Sequence, residues 1–378
     1  MGATNRRTGF RPCQSASRDQ GLAHMLKATL LGAVLFLPSL ATQATPPASA
    51  ASAAGASATA TATAKGEFLG AMETVYPSWF KESFLELGTD VEEAAESGRR
   101  LMVLFHQDGC PYCNALVEQN LSQKDIESYT REHFDVVSIN IWGDREVLSV
   151  DGRTLTEKQF AAALKVQFTP TLIFMNEQGA PVLRLNGYLA PDRFKAALEF
   201  VAGRKEAEMS FRDWYAANQP PPTSGALNEQ PFFQGGPVDL SAVTGPTAVF
   251  FEQTACPNCD RLHGRPLEDA ETRRILDDMH SIQLDMWSDT PVITFDGTRT
   301  TAREWARALD VKYAPTIIGF DQGREVIRSE AFFKSFHTQG ILEYTRSGDY
   351  AAQPNFQRWL EARADHFREL GRDVNIWE

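Results

Sequence analysis

Cysteine is scarce in this chain of 378 residues: there are five, and four of them fall in two short motifs, Cys110-Pro111-Tyr112-Cys113 and Cys256-Pro257-Asn258-Cys259. The fifth, Cys13, lies in a segment expected to be removed. No cysteine is left to cross-link distant segments, the usual role of cysteine in an exported protein. Long apolar runs are missing as well. The apolar core at Leu30–Leu37 falls well short of the roughly 20 residues that span a bilayer. Positive charge is in the minority, with 37 Lys and Arg against 49 Asp and Glu, a net charge of −12. That balance argues against nucleic acid and anionic membrane as partners. No cofactor motif is present, so no cofactor is expected.

The apolar core, with Lys27 before it and Ala-Thr-Gln-Ala ending at Ala44 after it, reads as a secretory signal peptide over residues 1–44. Met25 is an alternative start. An uncleaved signal would instead tether the protein to a membrane. Residues 45–66 are mostly Ala, Ser, Thr and Pro, which cannot build a core and read as a flexible tether. Loss of residues 1–44 takes five basic residues from 37 and one acid from 49, leaving 32 against 48, a net −16. The remainder suits two domains. The predicted limits are 67–215 and 237–378, with residues 216–236, centred on Gln219-Pro220-Pro221-Pro222, as a stiff, extended linker.

The motifs are part of a longer repeat. Cys113 precedes Pro170 by 57 positions and Cys259 precedes Pro315 by 56, and each of these prolines is followed by Thr. Thr156 and Gln159 match Thr301 and Glu304 at an offset of 145, as Phe211 and Trp214 match Phe356 and Trp359. An offset held this far indicates internal duplication. Each copy alternates strand and helix, which predicts an α/β fold of two tandem domains, each a central mixed sheet flanked by helices. Leu101–Phe105 and Thr247–Phe251 read as buried strands, followed by a helix opened by the Cys-Pro-x-Cys motif. Val136–Trp142 is the next strand and Val150–Arg153 a hairpin tip. Thr156/Gln159 and Thr301/Glu304 are capping pairs. Leu172–Met175 and Ile317–Phe320 are strands, and Pro191–Ala202 a closing helix. The last helix should turn Phe356, Trp359, Leu360, Phe367 and Leu370 toward the core.

Two dithiols with nothing else to do point to thiol–disulfide exchange. The thiolate is the attacking form, and a helix N-terminus favours it. Cys110 and Cys256, at that end and exposed, are the expected nucleophiles, with Cys113 and Cys259 as their resolving partners. Tyr112 and Asn258 tune each pair and count with the substrate-contacting residues. Thr169-Pro170 and Ala314-Pro315 are expected to be cis and to offer backbone hydrogen bonds to a substrate peptide. Glu252, replacing His106 of the first copy, should disfavour the Cys256 thiolate relative to that of Cys110.

On the two Cys-Pro-x-Cys motifs with their Pro-Thr partners, the chain resembles the thioredoxin superfamily. Tyr76-Pro77-Ser78-Trp79-Phe80, Gly109 ahead of the first motif, and the 28 positions separating Trp142 from Pro170 and Trp287 from Pro315 resemble exported SoxW-like thioredoxins. The resemblance covers both copies and is sharper in the first. It implies a periplasmic reductase of protein disulfides, fed by a membrane thiol donor and acting on exported clients. Two features depart from thioredoxin. The motif is not Cys-Gly-Pro-Cys, and the buried acid six residues before the first cysteine is replaced by Leu104 and Phe250. His106, Asp108, Glu252 or water would have to manage the proton, though each of these side chains also reads as a solvated loop residue. Cys-Pro-Tyr-Cys also occurs in glutaredoxins, but the paired glycines and acid that hold glutathione do not follow Pro170 or Pro315.

The same fold also serves disulfide oxidases and isomerases. A four-cysteine metal site is disfavoured because the motifs stand 146 positions apart, against about 15–20 in zinc sites. A non-catalytic adaptor is disfavoured by two intact dithiols.

Overall fold

The computed structural model describes residues 64–378 apart from 220–224 and 236. The expected signal peptide, nearly all of the tether and the triple-proline stretch lie outside the described residues. The first copy runs through β1 (Phe68–Leu69), α1 (Leu87–Glu96), β2 (Arg100–His106), α2 (Pro111–Ala115), α3 (Lys124–His133), β3 (Phe134–Asn140), β4 (Glu146–Leu148), β5 (Thr154–Thr156), α4 (Glu157–Ala163), β6 (Thr171–Met175), β7 (Pro181–Asn186), α5 (Pro191–Ala202) and α6 (Phe211–Asn218). The second runs through β8 (Val238–Asp239), β9 (Thr247–Glu252), α7 (Pro257–Gly264), α8 (Ala270–Asp277), β10 (His280–Asp285), β11 (Pro291–Ile293), β12 (Arg299–Thr301), α9 (Ala302–Ala308), β13 (Thr316–Asp321), β14 (Arg324–Ser329), α10 (Ser335–Ser347), α11 (Phe356–Glu369) and β15 (Val374–Asn375).

Each copy builds a four-stranded mixed sheet, ordered β3-β2-β6-β7 in the first and β10-β9-β13-β14 in the second. The two leading strands are parallel and the others antiparallel. β2 and β9 lie inside their sheets, flanked on both edges, which is why their sequences are apolar along almost the whole length. Both end where a Cys-Pro-x-Cys helix begins, so each dithiol sits at the carboxyl edge of a central strand. Thr156 and Gln159 close a full capping box on α4, whereas Thr301 accepts only from the Glu304 N–H on α9.

Several expectations need correction. β3 stops at Asn140 rather than Trp142, because the Asn140 side chain accepts a hydrogen bond from the Trp142 N–H (3.0 Å) and turns the chain. Asp285 does the same to Trp287 (2.9 Å). The segment expected as linker begins inside α6. Its described later part lies on the second copy, where Phe233 packs edge-on to Phe250 at 5.1 Å. The end of the tether is docked too, with the Gly66 N–H donating to the Arg368 carbonyl (2.8 Å). Leu370, expected in the core, caps the end of α11 and is exposed. Among the described residues no helix is long and apolar enough to cross a membrane.

The two copies are not beads on a string. α11, at the end of the second, lies against the first: Phe356 packs on Phe168, and the Gln357 amide donates to the Gln167 carbonyl (2.9 Å). α6, at the end of the first, lies against the second: Phe211 and Tyr215 pack on Tyr313, and Arg212 donates to the Met286 carbonyl (2.7 Å). β1 pairs with β15, joining the two ends of the described chain. Gly187 lets the copies meet, since a Cβ there would stand 2.9 Å from Phe333 and 3.0 Å from Ala331. Beside it the buried Glu330 carboxylate accepts from Asn186 of the first copy (2.7 Å) and from Lys312 (3.3 Å). Burial pulls the Lys312 ammonium down, but Glu330 and Asp310 outweigh it and hold it above its ordinary value. Glu330→Ala would leave that ammonium without its buried partner. Breaking a buried pair outright costs about 3–5 kcal/mol; Asp310, 2.7 Å from the same ammonium, stays in place, so urea unfolding of the variant should show a smaller loss, about 1–3 kcal/mol. A change below about 1 kcal/mol would mean that the network does not anchor the contact.

Candidate active site

Both dithiols are present as disulfides, Cys110–Cys113 and Cys256–Cys259, with Cα–Cα separations of 5.3 and 5.1 Å. Cys110 caps α2, its sulfur accepting from the Cys113 N–H (3.0 Å), and Cys256 caps α7 by the same bond to Cys259 (3.1 Å). Proline follows each at the first helical position, where its missing N–H costs nothing. The leading sulfurs therefore sit against unpaired N–H groups and the positive end of the dipole, the setting that favours a thiolate. In the first copy α2 gives way after one turn to a π-helical stretch, Leu116–Leu121, which the sequence did not announce. Among the described residues no group of three or more His, Cys, Asp or Glu is placed to hold a metal ion.

The Pro-Thr loops lie beside the dithiols, and the Thr169–Pro170 and Ala314–Pro315 bonds are cis. Thr169 touches the first sulfur directly: its hydroxyl stands 3.3 Å, and its carbonyl oxygen 3.6 Å, from Cys110 Sγ. Ala314 has no hydroxyl to offer Cys256. Its carbonyl instead accepts from the Arg193 guanidinium of the first copy at 2.8 Å. Thr169, Pro170, Ala314 and Pro315 are all buried.

Burial also corrects the picture of an exposed nucleophile, since Cys110 and Cys256 are each 2% exposed. Their neighbours differ. Pro111 and Tyr112 are buried, whereas Pro257 is exposed and Asn258 half-buried. Tyr112 is covered by the second copy: its hydroxyl accepts from the Lys334 N–H (3.0 Å), and its ring meets those of Phe333, His337 and Trp377 edge-on at 5.0–5.2 Å. Burial, with the Arg363 charge adding to it, holds the His337 imidazole down at about 4. In its uncharged form that ring packs as one more aromatic face over Tyr112.

The candidate proton-managing groups also separate. Asp108 is exposed. His106 is half-buried and faces the Tyr76 ring at 4.6 Å, and burial lowers its basicity. Glu252 is not a solvated loop residue; it ends β9, is wholly buried, and has His263 Nε2 2.9 Å from one carboxylate oxygen and the Gln283 amide donating to the other (3.1 Å). His263 lies on α7, one turn beyond Cys259, so an acid–imidazole pair sits under the second dithiol helix. Sequence reasoning missed His263. A buried histidine four residues after a resolving cysteine has no distinctive spacing, and its partner comes from another element.

The Thr169 hydroxyl should serve Cys110 once the disulfide opens, because it can donate to the thiolate. A hydrogen bond to a charged group contributes about 1.5–3 kcal/mol. In a protein whose second dithiol is replaced by serines, Thr169→Ala should disfavour the Cys110 thiolate about tenfold or more against the thiol, read as thiolate absorbance against pH. An unchanged titration would show that the hydroxyl does not support the thiolate.

A family model described as a thioredoxin-like domain matches twice, over residues 87–202 and 240–345. No curated protein matches the chain significantly. Among solved structures, a thioredoxin-fold protein from Helicobacter pylori is 22% identical, covering 37% of this chain and 92% of its own, with a TM-score of 0.28. A thioredoxin from Thermus thermophilus is 24% identical over 36% of this chain and 87% of its own, with a TM-score of 0.25. The C-terminal domain of DsbD from Neisseria meningitidis, in its oxidised form, is 16% identical over 31% and 91%, with a TM-score of 0.23. With the family model covering more than half of its length, in two separate matches that each hold one Cys-Pro-x-Cys dithiol, the chain belongs to the thioredoxin-like domain family and carries that domain twice in tandem.

Proposed function

We propose that the protein is a periplasmic thiol–disulfide oxidoreductase that reduces disulfides in exported proteins. The observation carrying this reading is the pair of helix-capping dithiols, each a closed disulfide at the end of a central strand, with the Thr169 hydroxyl against one attacking sulfur. In the reduced protein, the Cys110 or Cys256 thiolate attacks one sulfur of a client disulfide, and the other client sulfur leaves as a thiolate that takes a proton. Cys113 or Cys259 then attacks the mixed disulfide and releases the second client thiol. Two electrons and two protons pass to the client, and the protein ends as the disulfide. Its return to the dithiol needs a dithiol donor; the resemblance to exported thioredoxins makes that donor a membrane protein. Export itself rests on the signal-like segment at residues 1–44.

With dithiothreitol as reductant, the protein should accelerate insulin reduction, and Cys110→Ser combined with Cys256→Ser should abolish the acceleration. Persistent turnover in the double variant would overturn the assignment of nucleophiles. Net oxidation of a reduced client, with no insulin reduction, would reverse the direction.

A further inference from the structure

A cleft of about 530 Å³ opens between α2, which carries the first dithiol, and the far end of α7, which carries the second. Tyr112, Tyr188 and Trp377 form apolar walls; Arg261 and Arg265 stand at the rim, and the Lys334 ammonium lies 4.1 Å over the Trp377 ring and donates to the Trp377 carbonyl. The cations crowd one another: beyond the effect of burial, the charges of Arg265 and Arg261 hold the Lys334 ammonium below its ordinary value, against a smaller pull from Glu378. Among the described residues neither arginine has a carboxylate ion-pair partner, although neighbouring Arg273 and Arg274 each have one. In a chain with a net charge of −12, this is a local excess of positive charge that Glu378 only partly offsets.

We infer that this cleft binds an acidic, aromatic-bearing segment of the client polypeptide, with its carboxylates on Arg261 and Arg265 and its rings against Tyr188. Rim charges of this kind chiefly select and steer the partner, while aromatic walls hold it. A segment seated there runs alongside the first dithiol helix and meets the second at the end away from Cys256, so the surface serves the first redox centre. The inference rests on the reading of the protein as an exchanger of protein disulfides.

Binding can be measured apart from redox chemistry. The oxidised full protein would be titrated by calorimetry with a short cysteine-free peptide rich in glutamate and phenylalanine, and with its counterpart carrying lysine at every glutamate. The acidic peptide should bind, more weakly as salt rises, and the basic one should not. Arg261→Glu with Arg265→Glu, both at exposed positions, should weaken binding of the acidic peptide by about tenfold or more. Arg131→Glu with Arg153→Glu, exposed positions outside the cleft, makes the same change in net charge and should leave binding within about twofold. Equal affinity for the two peptides, an equal loss in the two double variants, or preference for anionic phospholipid vesicles over the acidic peptide would overturn the inference. No cysteine exchange occurs in this measurement, so a failed insulin assay would leave its result standing.

Discussion

The exchange of terminal helices between the two copies is the contact on which the rest of the structure depends. Phe168 and Tyr313 each stand two residues ahead of a cis proline, and each is covered by a helix from the other copy: Phe356 of α11 lies on Phe168, and Phe211 of α6 lies on Tyr313. One side of the first sheet is continuous with apolar residues of α10 and α11, whereas the other apolar clusters each lie within one copy. The loops that shape the redox sites are therefore also the domain contact. Repositioning one copy changes the surroundings of the other's sulfur.

The exchange is reciprocal but not symmetric. The second copy sends Phe333, Lys334, His337 and Trp377 over Tyr112, closing the first motif. The first copy sends Arg193 to the Ala314 carbonyl, yet leaves Pro257 exposed. Chemistry is divided as unevenly. The first sulfur has the Thr169 hydroxyl, while the second helix has the buried Glu252–His263 pair beneath it. Duplication gave two dithiols, and the packing between them made two different environments.

Much of this could be read from the chain. Spacing alone paired each dithiol with its Pro-Thr loop, and the apolar runs marked the central strands, because both follow from local sequence and short-range geometry. What sequence could not give was whatever depends on where an element ends and on which distant element packs against it. Leu370 has the spacing of a core residue but falls where α11 ends. Cys110 and Cys256 were expected to be exposed, as the end of a lone helix would be, and are covered instead. Residues 225–235 look like linker by composition, yet Phe233 finds an aromatic neighbour on the second domain. Glu252 looked like a loop acid because its partner, His263, lies on another element.

The central claim is that docking covers the residues flanking Cys110 and leaves those flanking Cys256 open, although the two sulfurs are equally buried at rest. The most direct measurement is a timed pulse of iodoacetamide on the fully reduced protein over a pH series, read cysteine by cysteine by mass spectrometry, with each rate corrected for the thiolate fraction and pKa of that cysteine. The account predicts that Cys256 reacts several times faster than Cys110, and that Phe333→Ala, which thins the cover over Tyr112, removes most of the difference. Equal rates in the parent protein, or faster reaction at Cys110, would contradict it.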